Sequence, residues 1–194
     1  MNTLQDWMLC TKRNASKPKS STGNRICGNI NELNIIDLFK ECSVGCTLFC
    51  TMEIAVAPYD SIEYHEMLAL RYKILRAPWG LCFSEEDLQQ EKDDIFIVCR
   101  EKGCIIGCCI LTGLTPSTVK LRQMAVSSQW QGKNVGTNIL EFAEQYAAGR
   151  GYAIIRLHAR KTASTFYIKC GYIIAGTEFL EIGMPHVLME KLIR

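Results

Sequence analysis

The run Gln131-Gly132-Lys133-Asn134-Val135-Gly136 has the residue types needed to hold an anion: two glycines, a lysine and two amides, set just ahead of a helical apolar pattern. The strand-like Leu121-Arg122-Gln123-Met124-Ala125-Val126 delivers the chain into it. Backbone N–H groups at a helix start have no partner inside the helix, and the helix dipole favours negative charge there. A phosphorylated ligand is therefore expected. Two well-known phosphate loops are excluded, because there is no G-x-x-x-x-G-K-[S/T] and no G-x-G-x-x-G opening a helix after the first strand. Taken alone, the loop also fits a polar turn before a surface helix.

Proton-transfer groups are sparse. The three histidines are His65, His158 and His186, and His65 reads as a helix-face residue. An acidic run, Glu85, Glu86, Asp87, Glu91, Asp93 and Asp94, contains only one base, Lys92. It fits either a solvated helix face or a surface that attracts a cation. Arg71, Arg76, Trp79 and Arg122 could instead shape a pocket for a carboxylate. These two ideas imply different ligands, and both stay open at this point.

Eleven cysteines form an odd set without a C-x-x-C pair, so neither a disulfide framework nor a zinc site is expected. Cys42, Cys46 and Cys50 recur every four residues and read as incidental thiols rather than metal ligands; no metal is expected. Cys99, Cys104, Cys108 and Cys109 lie in apolar strand-like runs, where a thiol behaves as a small hydrophobe. A reducing, cytoplasmic setting is expected. The chain carries 22 basic and 20 acidic residues, and the excess sits in residues 1–51, leaving the remainder neutral. That balance does not suggest a nucleic-acid face. No apolar run approaches the roughly 20 residues of a membrane span, so no membrane partner is expected.

The elements that must position these residues follow from pattern. Residues 7–31 lack acids and are rich in Ser, Asn and bases, which reads as a solvated, poorly ordered segment. A short helix is expected at 31–42. The functional domain is expected at 52–194, with 1–51 as an extension. Strands are expected at 52–57, 95–100, 104–111, 119–126, 153–159, 172–180 and 186–192. Helices are expected at about 60–75, 84–92, 136–149 and 162–169. The class is α/β of the α+β type, with a mixed, mostly antiparallel central sheet of six or seven strands flanked by helices.

A second motif, Ala163-x-x-Phe166-Tyr167-x-x-x-Gly171-Tyr172, follows the loop in order. Together the two resemble the Q/R-x-x-G-x-G/A loop and the A-x-x-F-Y-x-x-x-G-F/Y helix of the GNAT superfamily of acyl-CoA-dependent N-acetyltransferases. The element order over 52–194 resembles the whole family domain. Asn134 departs from the usual glycine, but Asn tolerates left-handed backbone.

The resemblance implies an N-acetyltransferase that moves an acetyl group from acetyl-CoA directly to a primary amine on a small molecule or peptide. It also allows a homodimer, and a non-catalytic acyl-CoA sensor is the alternative. It implies that Gln131, Gly132, Lys133, Asn134, Val135, Gly136 and Thr137 hold the coenzyme A pyrophosphate. Met124, Ala125 and Val126 would line the pantetheine arm, with Arg160 standing where the family often has an Asn touching it. Tyr167 would be the general acid toward the departing thiolate. The strand before the loop lacks the acid that many relatives place there, and Gln123 cannot serve as a base. Candidate bases are His158, then His186, with Glu85, Glu86 and Glu181 behind them.

Overall fold

Along Ile95–Glu101, Phe96 and Val98 point one way and Ile97 and Cys99 the other, and all four are buried. A strand that is apolar on both faces must be covered on both. The computed structural model, which describes residues 52–194, has that arrangement. Its strands are β1 (Glu53–Ala57), β2 (Ile95–Glu101), β3 (Cys104–Thr115), β4 (Thr118–Val126), β5 (Ile154–Arg160), β6 (Ile173–Glu181) and β7 (Met184–Leu192). They form one sheet in the order β1-β2-β3-β4-β5-β7-β6. Only β4 and β5 run parallel; every other pairing is antiparallel. The expected fold class is observed. The extension, with its expected helix at 31–42 and its cysteines, lies outside the described residues.

The helices are α1 (Ile62–Arg71), α2 (Glu85–Gln89), α3 (Val135–Gly149) and α4 (Ser164–Lys169). Tyr64, Met67 and Leu68 of α1 pack on Phe96, Val98, Cys108 and Ile110, on one face of the sheet. On the other face, Ile139, Leu140, Ala143 and Ala147 of α3 pack on Ile97, Cys99, Leu121, Ile155 and Leu157. Cys99, Cys108 and Cys109 are fully buried in these cores. Burial pushes the Cys99 thiol up to about 11 and the Cys108 thiol to about 12, so they act as apolar filling.

Some boundaries differ from expectation. The first helix is α-helical only to Arg71, then continues as a π-helical turn, Tyr72–Arg76, and a short 3-10 turn, Ala77–Trp79, closed by left-handed Gly80. The acidic helix shrinks to Glu85–Gln89, started by Ser84 and Asp87 in a reciprocal capping box. β2 and β3 meet through a two-residue turn, Lys102-Gly103, with both φ angles positive, the geometry that matches strand twist. Among the described residues, no helix is long and apolar enough to cross a membrane.

Candidate functional site

β4 and β5 are paired only from Thr118↔Ile154 to Leu121↔Leu157, and beyond that point the two strands separate. A bulge in β4 reinforces the parting. Cys108 and Ile110 of β3 face Ala125 and Arg122, so Gln123 and Met124 together stand opposite Cys109. Gln123 takes a left-handed φ of 51° to accommodate the extra residue. A sheet opened in this way exposes backbone between two strands and leaves room for an extended ligand arm.

A cavity of about 840 Å³ occupies one side of this opening. Met124 and Val126 line it from β4, then Gln131, Gly132, Asn134, Gly136 and Thr137 from the loop and the start of α3. Phe166 and Tyr167 of α4 close it, with Ala163 and Cys170 at the two ends of that helix. Gly132 and Asn134 are left-handed, at φ 74° and 61°, with Lys133 between them. Alternating backbone handedness turns successive N–H groups toward one concave side. The first intrahelical bond runs from Asn138 N to Asn134 O at 2.9 Å, and no side chain caps α3. The amides of Val135, Gly136 and Thr137 are therefore without helical partners. Gly136 is needed for close packing: a Cβ there would sit 3.2 Å from Phe166 Cζ and 3.3 Å from Met124 Cε.

The remaining predicted residues distribute unevenly. Gln131 anchors the loop by donating from Nε2 to Val126 O at 3.0 Å. Lys133 lies over the Trp130 ring at 4.9 Å. Ala125 and Val135 are buried. Tyr167 is nearly buried and donates to Met124 Sδ at 3.6 Å, and burial raises its phenol well above the ordinary value. A hydroxyl so placed stays protonated and points into the cleft wall. Arg160 is not among the lining residues: its guanidinium donates to Leu75 O at 3.2 Å, at the end of the π-helical turn, and covers the Trp79 ring.

His158 is the first residue of β5 past the paired stretch. Its Nδ1 lies 2.8 Å from Glu181 Oε2 and 3.4 Å from Lys120 Nζ. His186, buried, lies opposite Arg160 on β7 and bonds the Met184 carbonyl through Nδ1 at 2.9 Å. An Nδ1–H donated to that carbonyl leaves Nε2 as an acceptor. Phe179 touches both rings. Glu85 and Glu86 are exposed in the first turn of α2, apart from this group.

Sequence reasoning missed a buried ion network. Arg71 and Glu91 are both fully buried and joined by two bonds, of 2.6 and 2.9 Å. Arg71 also donates to Gln123 Oε1 at 2.6 and 2.9 Å, and Tyr64 donates to Glu91. Arg122 pairs with Asp94 and donates to Thr112. Arg71 and Arg122 are thus committed to internal partners, and two acids of the supposed solvated run are theirs. No local spacing signals this, because the partners are 10 to 52 residues apart.

Known proteins resemble this chain in sequence family and in fold. The family model for the acetyltransferase (GNAT) domain matches residues 81–193. YyaT of Bacillus subtilis is 32% identical over 110 residues, 56% of this chain and 72% of its own. A candidate N-acetyltransferase from Lactobacillus plantarum superposes with a TM-score of 0.68 at 23% identity, over 74% of this chain and 99% of that one. An aminoglycoside 6'-N-acetyltransferase complexed with coenzyme A gives 0.61 at 17% identity, over 73% and 97%. At these identities, the two structural matches are likenesses of fold.

Proposed function

We propose that this chain, which belongs to the GNAT acetyltransferase family and is an acyltransferase, moves an acetyl group from acetyl-CoA directly to a primary amine. The uncapped start of α3 carries the reading. It joins left-handed Gly132 and Asn134 on a cleft that also contains Tyr167. Amides from Gln131 to Thr137 would hold the pyrophosphate, with Lys133 adding charge and the Thr137 hydroxyl a further contact. Val126 and the freed backbone of Met124 and Ala125 would act as a neighbouring strand for the pantetheine. An N–H there can polarise the thioester carbonyl. A family fold seen elsewhere with coenzyme A bound supports the fit.

Acetyl-CoA supplies an activated acyl group whose C–S bond breaks as a C–N bond forms. An alkylamine of pKa ~10.4 is neutral in only about 1 molecule in 2,500 at pH 7, a cost of roughly 4.6 kcal/mol. A proton acceptor is therefore needed. His158 is assigned that role because Glu181, 2.8 Å from its Nδ1, orients the ring. His186 is the second choice, with its Nε2 open as an acceptor. Tyr167 returns a proton to the departing thiolate, and its raised pKa keeps it in the acid form. No cysteine nucleophile is invoked: burial raises the Cys170 thiol and favours the unreactive form. Cys82, Cys99, Cys108, Cys109 and Cys170 are free thiols, whereas Cys104 is disulfide-bonded, contrary to the expectation of a thiol there.

Mass spectrometry of an amine panel incubated with acetyl-CoA tests the reaction, and calorimetry tests the donor. Tyr167→Phe is expected to lower kcat by about 100-fold and to leave the acetyl-CoA Kd unchanged. An unchanged rate would remove Tyr167 as the acid. Failure of the wild-type chain to bind acetyl-CoA would overturn the whole reading.

A further inference from the structure

Arg71, Arg100, Arg122 and Arg156 are each matched by a carboxylate: Glu91, Glu63, Asp94 and Glu190. Arg76, Arg150, Arg160 and Arg194 have no such match among the described residues, and of these four only Arg76 and Arg160 are not exposed to solvent. Among the described residues, neither guanidinium has a carboxylate within ion-pair distance, and both are half-buried. They also come together. Arg160 donates to the carbonyl of Leu75, the residue just before Arg76. Arg160 lies 5.6 Å from the exposed Trp79 ring, and Arg76 lies 4.9 Å from the Phe83 ring.

Their position relative to the reaction follows from contacts already described. The Phe83 ring is shared between Arg76 and Arg71, each at 4.9 Å. Arg71 grips Gln123, which precedes Met124 in the bulge of β4. Arg160 ends β5, past the point where β4 and β5 part. The pair thus borders the opened sheet from the α1 side, whereas α3 and α4 build the cofactor cleft on the other. Burial pulls the Arg76 pKa below the usual value. Asp87 and Glu91 oppose this, but the Asp87 side chain is bonded to Ser84 at the start of α2 and Glu91 to Arg71, and the charges of Arg71 and Arg160 add to the lowering. Two such cations gain from any anion set between them.

We propose that Arg76 and Arg160, with Trp79 beside them, bind an anionic oxygen group on the acceptor. The acetylated amine then belongs to a carboxylate- or phosphate-bearing molecule, not to a purely cationic polyamine. This rests on the transferase reading above. Guanidinium forks match the paired oxygens of either anion. The competing idea, that the acidic run attracts a cationic acceptor, loses three members to internal duties: Glu91 to Arg71, Asp94 to Arg122 and Asp87 to helix capping.

Calorimetry on the full chain saturated with coenzyme A tests the proposal with matched pairs. The carboxylate arm sets glycine, β-alanine and 4-aminobutyrate against their amides. The phosphate arm sets phosphoethanolamine against ethanolamine. In at least one pair the anionic member is expected to bind about tenfold tighter or better, the scale of one or two charge-assisted hydrogen bonds. Arg76→Gln and Arg160→Gln are each expected to erase that difference. Arg76→Gln should keep its coenzyme A affinity, which also verifies that it folds. Equal binding within every pair, or a difference that survives both substitutions, overturns the anion site. Mass spectrometry of the same panel with acetyl-CoA separates the two readings. Selective anion binding without acetylated product sinks the transfer reading and leaves the anion site standing. Acetylation of neutral and anionic members alike sinks the anion site and leaves transfer standing.

Discussion

Asn134 contributes through its backbone to the loop proposed to hold the pyrophosphate. Its φ of 61° and ψ of 4° place it in the left-handed region, where glycine is the usual occupant and asparagine one of the few tolerated alternatives. Alanine lacks that tolerance. Asn134→Ala is expected to cost about 1 kcal/mol in urea unfolding and to weaken acetyl-CoA binding in calorimetry, whereas Asn134→Gly should retain both. The backbone demand at this position was legible, because the spacing of Gly132 and Gly136 brackets it. The direction of Arg160 was not. In a strand, one residue's change of face sends a side chain to the opposite layer, and only the packing of Trp79 and Leu75 shows where this one ends.

Among the elements, the crossing of α3 over β3 controls where the loop before α3 sits. The two come so close at Gly107 that a Cβ there would lie 2.6 Å from Ile139 Cδ1 and 3.1 Å from Val135 Cγ1. Both neighbours are fully buried and have little room to give. Gly107→Ala is expected to destabilise the fold by about 1–3 kcal/mol. It should also raise the acetyl-CoA Kd, because Val135 opens α3 and moving it shifts the free amides. Urea unfolding and calorimetry together check this, and a stability loss with unchanged binding would separate the crossing from the site. The hairpin of β2 and β3 was readable from its apolar runs and its Lys102-Gly103 turn. The parting of β4 from β5 was not, since it depends on a bulge whose only sequence trace is an unremarkable Gln123.

For the molecule as a whole, the Arg71–Glu91 pair ties α1 and the segment before β2 to the bulge in β4. Removing one partner leaves an uncompensated buried charge, so Glu91→Ala is expected to destabilise by about 3–5 kcal/mol in denaturant titration. Buried thiols and phenols set the alkaline limit. Cys99 and Cys108 rise from an ordinary value near 9 to about 11 and about 12, and the Tyr167 phenol also rises. Groups whose pKa is raised on folding contribute stability that is complete below their unfolded values and is lost as pH climbs toward the folded ones. Tm is expected to hold to about pH 8 and then fall progressively above pH 9, as followed by circular dichroism. A flat Tm to pH 11 would contradict the thiol burial. Short-range information determined most of the elements, the loop that opens α3 and the family, because periodicity, turn chemistry and helix starts depend on neighbours within a few residues. Tertiary structure alone decided that Arg71 and Arg122 are internally matched and that Arg76 and Arg160 are left facing the opened sheet. Charge compensation acts through space between residues far apart in the chain, and no local pattern records it.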